Sequence, residues 1–133
     1  MAQTKQLRIL MVEDDGGIAQ VIKIAMRDLD FPYLLDHAYT AEEALELWQQ
    51  TGYDLVLTDY NLRGTNGLDL ISRLKEQGAR VPIVLVTAYD TPALRRQAEQ
   101  AGIAKFVAKP FFVDQFIDLV RDLLPIQSSQ IGM

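Results

Sequence analysis

The sequence predicts an α/β fold in which five βα units surround a parallel sheet. Short apolar runs alternate with segments of helical period along 133 residues, the pattern of parallel strands joined by crossover helices. The runs Leu7 to Val12, Leu55 to Thr58 and Ile83 to Thr87 are almost continuously apolar, as strands covered on both faces must be. Capping residues, glycines and prolines punctuate the helical segments between them. A chain of this length fits one domain, expected over residues 1–125 with a polar C-terminal tail at 126–133.

The first strand is Leu7 to Val12. Ile18, Val21, Ile22, Ala25, Met26 and Leu29 then recur at helical spacing and give the first helix one apolar face, opposite Lys23, Arg27 and Asp28. Gly16 and Gly17 open that helix with two permissive residues, which weakens its start and predicts a flexible loop there. Tyr33 to Ala38 is more polar and reads as an edge strand. The second helix begins with a capping box, Thr40-Ala41-Glu42-Glu43, in which hydroxyl and carboxylate satisfy each other's free backbone donors. It buries Ala41, Ala44, Leu45 and Trp48, and Gly52 ends it.

Leu55 to Thr58 is the third strand, followed by a turn from Tyr60 to Gly67. The third helix, Gly67 to Glu76, carries Leu70, Ile71 and Leu74 and stops at Gly78. Ile83 to Thr87 is the fourth strand. Thr91-Pro92 caps a fourth helix, Pro92 to Ala101, whose apolar face of Leu94, Ala98 and Ala101 is thin and marks it as the element that moves. After the fifth strand, Lys105 to Ala108, the last helix runs from Asp114 to Leu124 with Val113, Phe116, Ile117, Val120 and Leu124 inward, and Pro125 ends it.

Composition excludes several classes of function. No cysteine is present, so disulfides, thiolate metal sites and a cysteine nucleophile are ruled out. No apolar stretch approaches the roughly 20 residues of a membrane span, and Met1 to Gln6 lacks the apolar core of a signal peptide; a cytoplasmic location is the expectation. The net charge of −5 opposes direct nucleic-acid binding, which relies on clustered Lys and Arg.

Polar residues of four kinds close four of the strands, at the end of an open α/β sheet where ligands bind. Taken singly they say little: Asp59 alone would most often cap a turn, Lys109 sit at the surface, and Thr87 favour a strand as any β-branched residue does. Taken together, Val12-Glu13-Asp14, Leu57-Thr58-Asp59 with Tyr60-Asn61-Leu62, Val86-Thr87-Ala88 and Lys109-Pro110-Phe111 resemble the receiver domain of two-component response regulators. The resemblance runs from about Leu7 to Leu124. It implies a doubly wound, flavodoxin-like, three-layer αβα fold with five strands in the order 2-1-3-4-5 and five helices.

The resemblance also implies roles. Asp59 would accept a phosphoryl group from a histidine kinase, a phosphotransfer protein or a small phosphodonor. An ionised carboxylate beside a phosphoryl group needs a cation, and Glu13, Asp14, Asp59 and the backbone carbonyl at Asn61 would hold Mg²⁺ or Mn²⁺. Lys109 would neutralise the acylphosphate from the other side, with Pro110 following through a cis bond. Thr87 would hydrogen-bond a phosphoryl oxygen, and Ala88 would leave room and offer its amide. Thr87 moving inward would let Phe106 rotate and change the face made by the fourth helix, fifth strand and fifth helix. That face, around Arg95, Gln100 and Phe106, would bind a protein target or a second copy. The first-helix face and the loop from Asp15 to Ile18 would receive the kinase. By this reading the chain is a phosphoacceptor that catalyses only its own phosphorylation and dephosphorylation, with no membrane partner.

Several residues stand outside the pattern. Phe106 lacks the hydroxyl of the tyrosine common at its position, and Arg63 replaces a frequent proline. Tyr89 is large enough to screen an acylphosphate from water, which predicts a long-lived phospho-Asp59. Asp15 reads as a loop acid, Trp48 and Tyr53 as packing residues, and Arg95 with Arg96 as a solvated helix face. His37, the only histidine, is expected on the edge strand away from the functional end, with a structural role and none as phosphodonor.

Three rival readings remain. An aspartate-nucleophile phosphatase of the haloacid dehalogenase type requires a second aspartate where Asn61 stands. A flavin- or dinucleotide-binding module requires a glycine-rich turn where Glu13-Asp14-Asp15-Gly16-Gly17 is acidic. A degenerate receiver would signal through protein contacts without phosphorylation.

Overall fold

The backbone alternates strand and helix in the predicted order. The computed structural model describes residues 6–124. The strands of the main sheet are β1 (Leu7–Val12), β2 (Tyr33–Ala38), β3 (Leu55–Asp59), β6 (Ile83–Thr87) and β7 (Lys105–Ala108), with the two-residue strands β4 (Asn61–Leu62) and β5 (Thr65–Asn66) outside it between β3 and β6. The helices are α1 (Gly16–Met26), α2 (Ala41–Gln50), α3 (Gly67–Glu76), α4 (Pro92–Gln100) and α5 (Val113–Leu123). Every pairing within this five-stranded sheet is parallel, in the order β2-β1-β3-β6-β7. Counting only these five strands, that is the doubly wound order 2-1-3-4-5, and β2 does lie at an edge.

Strand alternation splits the core into two layers. Leu7, Ile9 and Met11 of β1, with Leu55, Leu57, Val84 and Val86, face α1 and α5. Leu10 and Val12, with Val56, Ile83 and Leu85, face α2, α3 and α4. Both faces of the sheet are thereby withdrawn from water, which is why its central strands are apolar throughout.

Register then sets the site. Val12 pairs with Thr58, Asp59 with Val86, and Thr87 with Ala108. The residues one step beyond or at these pairs, Glu13, Asp59, Thr87 and Lys109, therefore gather at the carboxyl end of the sheet.

The structure corrects several expectations. Val21 is 53% exposed and Val113 38% exposed, although both were predicted inward. Ala19, outside the predicted face, is buried on α1 together with Ile22, Ala25 and Met26. Leu29 is buried but lies beyond the end of α1. The segment Tyr60 to Gly67 is more than a turn: β4 (Asn61–Leu62) and β5 (Thr65–Asn66) pair antiparallel. Thr40 caps α2 by accepting the Glu43 N–H, but the Glu43 carboxylate takes the N–H of Tyr39, not that of Thr40. α2 ends at Gln50 with Thr51 as its extended cap, one residue before Gly52. α5 begins at Val113 and α4 ends at Gln100, each one residue from the predicted bound. Pro125 and the tail 126–133 lie outside the described residues.

Candidate functional site

Three carboxylates converge where β1 and β3 end. Glu13, Asp14 and Asp59 each offer an oxygen within 4.8 Å of the others. Glu13 is 2% exposed and Asp59 8%. Lys109 reaches between them, its Nζ 3.2 Å from Glu13 Oε1 and 3.3 Å from Asp59 Oδ2. Burial, reinforced by the neighbouring Asp59 charge, pushes the Glu13 carboxyl up to about 7 against the pull of Lys109.

Local structure holds each side chain in place. Asp59 accepts the Asn61 N–H at 3.4 Å on Oδ1, and its own carbonyl accepts the Thr58 hydroxyl at 3.0 Å. Gly67 donates its N–H to Tyr60 O at 2.6 Å, and a Cβ there would stand 2.4 Å from the Asp59 carbonyl oxygen. No other residue permits that approach. Lys109 donates its N–H to Thr87 O at 2.8 Å, and the Lys109–Pro110 bond is cis.

Asp15 is not a fourth member of the cluster. Its Oδ1 accepts the N–H groups of Gly17 and Ile18 at 2.8 and 3.0 Å, the work of an N-cap. The cap secures the start of α1 that the paired glycines were expected to weaken. Its N–H meanwhile donates to Glu13 Oε2 at 3.2 Å. Arg63 reaches toward the cluster from the β4–β5 hairpin, 3.9 Å from Asp14 Oδ2.

Thr87 is fully buried, and its hydroxyl accepts the Tyr89 N–H at 3.0 Å. Ala88 beside it is exposed. The Tyr89 ring is 54% exposed and meets Tyr60 edge-on, with 6.4 Å between centroids. Phe106 is half-buried on β7. Over its ring, at 4.4 Å, lies the Arg95 guanidinium, which is itself gripped by both oxygens of Asp90 at 2.5 and 3.1 Å. Arg95 and Arg96 are exposed, as a solvated helix face requires, but Arg95 is also held in place, and the neighbouring aromatic is what sequence spacing did not disclose.

His37 also departs from expectation. It lies near the carboxyl end of β2, and its Nε2 is 2.8 Å from the Glu13 carbonyl oxygen. The edge strand thus reaches the functional end of the sheet. Tyr53 and Trp48 do pack: their rings stack at 6.2 Å, and the Tyr53 hydroxyl donates to Asp36 at 2.6 Å.

The donor set fits a hard divalent cation. All three groups are carboxylates, two of them buried side by side, and such a pair is stable when a cation compensates it.

Comparison with known proteins follows the same lines. A family model described as the response regulator receiver domain matches residues 9–121. The chain is 31% identical over 124 residues to the transcriptional regulatory protein ResD of Bacillus subtilis, across 93% of this chain and 50% of that protein. It spans about half the length of the curated relatives it matches first. The non-phosphorylated HemR receiver domain from Leptospira biflexa superimposes with a TM-score of 0.82 at 29% identity, over 92% of this chain and 97% of that one. A CheY-like receiver domain protein from Methanospirillum hungatei gives 0.83 at 22% identity over 95% and 99%, a likeness of fold.

Proposed function

This chain belongs to the response regulator receiver domain family, and from that premise we propose that Asp59 accepts a phosphoryl group from a phosphohistidine on a kinase or phosphotransfer protein. One observation carries the reading: the Asp59 carboxylate is buried at a strand end, 3.3 Å from the Lys109 ammonium and among two further acids. An Asp59 oxygen attacks phosphorus as the bond to the donor's imidazole nitrogen breaks, and that nitrogen keeps the electron pair. The product is an acylphosphate.

Glu13, Asp14, Asp59 and the Asn61 carbonyl would hold Mg²⁺ or Mn²⁺, which when bound supplies charge neutralisation for the incoming phosphoryl oxygens. Lys109 supplies fixed positive charge on the carboxylate's other side. Ala88 leaves the approach open. To bond a phosphoryl oxygen, the Thr87 hydroxyl turns toward Asp59 and exchanges its present interaction with the Tyr89 N–H. Space opens behind it. Phe106, on the adjoining strand, responds against the Arg95 guanidinium rather than through a hydroxyl of its own.

The exposed apolar side chains Val21, Ile24, Phe112 and Val113 support kinase docking on the α1 side. The face of α4, β7 and α5 is assigned to the output partner or a second copy. Incubation with a small acyl phosphodonor and Mg²⁺, read by intact mass, tests the proposal. One added phosphoryl group on the wild type and none on Asp59→Asn is expected. A wild type that stays unmodified would indicate a receiver that works through protein contacts alone.

A further inference from the structure

The Glu13 main chain is tied to β2 at both of its polar atoms. Its N–H donates to Ala38 O at 3.0 Å, and its carbonyl oxygen lies 2.8 Å from His37 Nε2. The strand ladder between β1 and β2 ends at the pair Val12 and Ala38, so beyond that point a side chain supplies the last rung. A carbonyl only accepts, which makes Nε2 the protonated nitrogen of the ring. Nδ1 is buried and has no hydrogen-bond partner among the described residues; the ring's one polar contact is thus the one to Glu13.

A peptide unit is planar. Holding the Glu13 carbonyl therefore holds the whole Glu13–Asp14 peptide plane: with the Glu13 N–H also held it fixes the direction in which the Glu13 side chain leaves the backbone, and it fixes the Cα from which the Asp14 side chain springs. Those side chains carry two of the three clustered carboxylates. We propose that His37 is a positioning residue for the divalent-cation site, acting through its hydrogen bond to the Glu13 carbonyl. The inference rests on Glu13 and Asp14 being metal ligands.

The competing account is mechanical, because the His37 ring also lies 4.0 Å from the Tyr39 ring, tilted by 35°. Tyr39 is anchored in turn by the Glu43 carboxylate. Substitution separates the two accounts. His37→Phe keeps a flat ring against Tyr39 and deletes the donor. His37→Gln deletes the ring and keeps an N–H at similar reach, while Tyr39→Leu removes the stack alone.

The experiment titrates Mn²⁺ into each purified protein and follows free Mn²⁺ by electron paramagnetic resonance, with Asp14→Asn as control. His37→Phe is expected to bind about tenfold more weakly, as loss of an outer hydrogen bond commonly does, while His37→Gln and Tyr39→Leu stay near the wild type. If His37→Phe does not fold, the Gln and Leu variants decide alone, since the mechanical account requires both to weaken. Wild-type affinity in His37→Phe, or weakening in the other two, overturns the proposal. Equal binding by wild type and Asp14→Asn overturns the metal assignment itself, a result distinct from failure at His37.

Discussion

The Lys109 ammonium lies 3.3 Å from Asp59 Oδ2. The same nitrogen is 3.2 Å from Glu13 Oε1, so one cation separates two buried acids. Lys109→Met keeps most of the aliphatic stem and removes the charge. Metal-free stability at neutral pH should fall by about 3 kcal/mol, the usual cost of leaving a buried charge unpaired, and recover on acidification. Urea denaturation at two pH values measures this. Phosphorylation by a small donor should slow about a hundredfold, as when a fixed charge-stabilising group is lost.

Gly67→Ala should damage the site from behind. Its Cβ would stand 2.4 Å from Asp59 O and 3.1 Å from Tyr60 Cα, both main-chain atoms, so β3 must shift. A loss of about 1–3 kcal/mol is expected, together with slower phosphorylation of the folded protein. Chemical denaturation and single-turnover phosphorylation report the two effects.

Acidity gives a third prediction. The Glu13 carboxyl has an ordinary value of 4.5 and is pushed up to about 7 in the fold, by burial first and by Asp59 second. Between those values the native state binds more protons than the unfolded chain, so metal-free stability falls as pH rises through this window. Divalent cations require the carboxylate and expel its proton. Thermal melts from pH 5 to 8 should therefore decline without Mg²⁺ and decline less with it. Calorimetry in two buffers of different ionisation heat should find protons released on binding below pH 7.

Much of this arrangement is legible in the sequence, because strands buried on both faces advertise themselves. Leu7–Val12 and Ile83–Thr87 were predicted to the residue, and their register brings the strand-end residues together. What escaped follows physical rules. The strands Asn61–Leu62 and Thr65–Asn66 have two residues each, too short to carry a period. Val21 is apolar and in period yet 53% exposed, since periodicity reports polarity and not burial. The contacts of His37 with Glu13 and of Arg95 with Phe106 join residues distant in sequence, where no local pattern exists to read.

Tyr89 bears on phosphoryl lifetime. Its ring stands edge-on to Tyr60 and more than half exposed beside Thr87, where it can restrict water. Tyr89→Ala should hasten decay of phospho-Asp59 several-fold, followed by loss of the phosphoryl mass with time. An unchanged decay rate removes Tyr89 from that role.

The central claim is that Asp59, and neither of the acids beside it, carries the phosphoryl group. Borohydride reduction of the phosphorylated protein converts an aspartyl phosphate to homoserine, and peptide mass spectrometry then locates it. Homoserine at position 59, dependent on Mg²⁺ and lost in Asp59→Asn, is the predicted result; reduction product at Asp14 or Glu13, or label retained by Asp59→Asn, would contradict it.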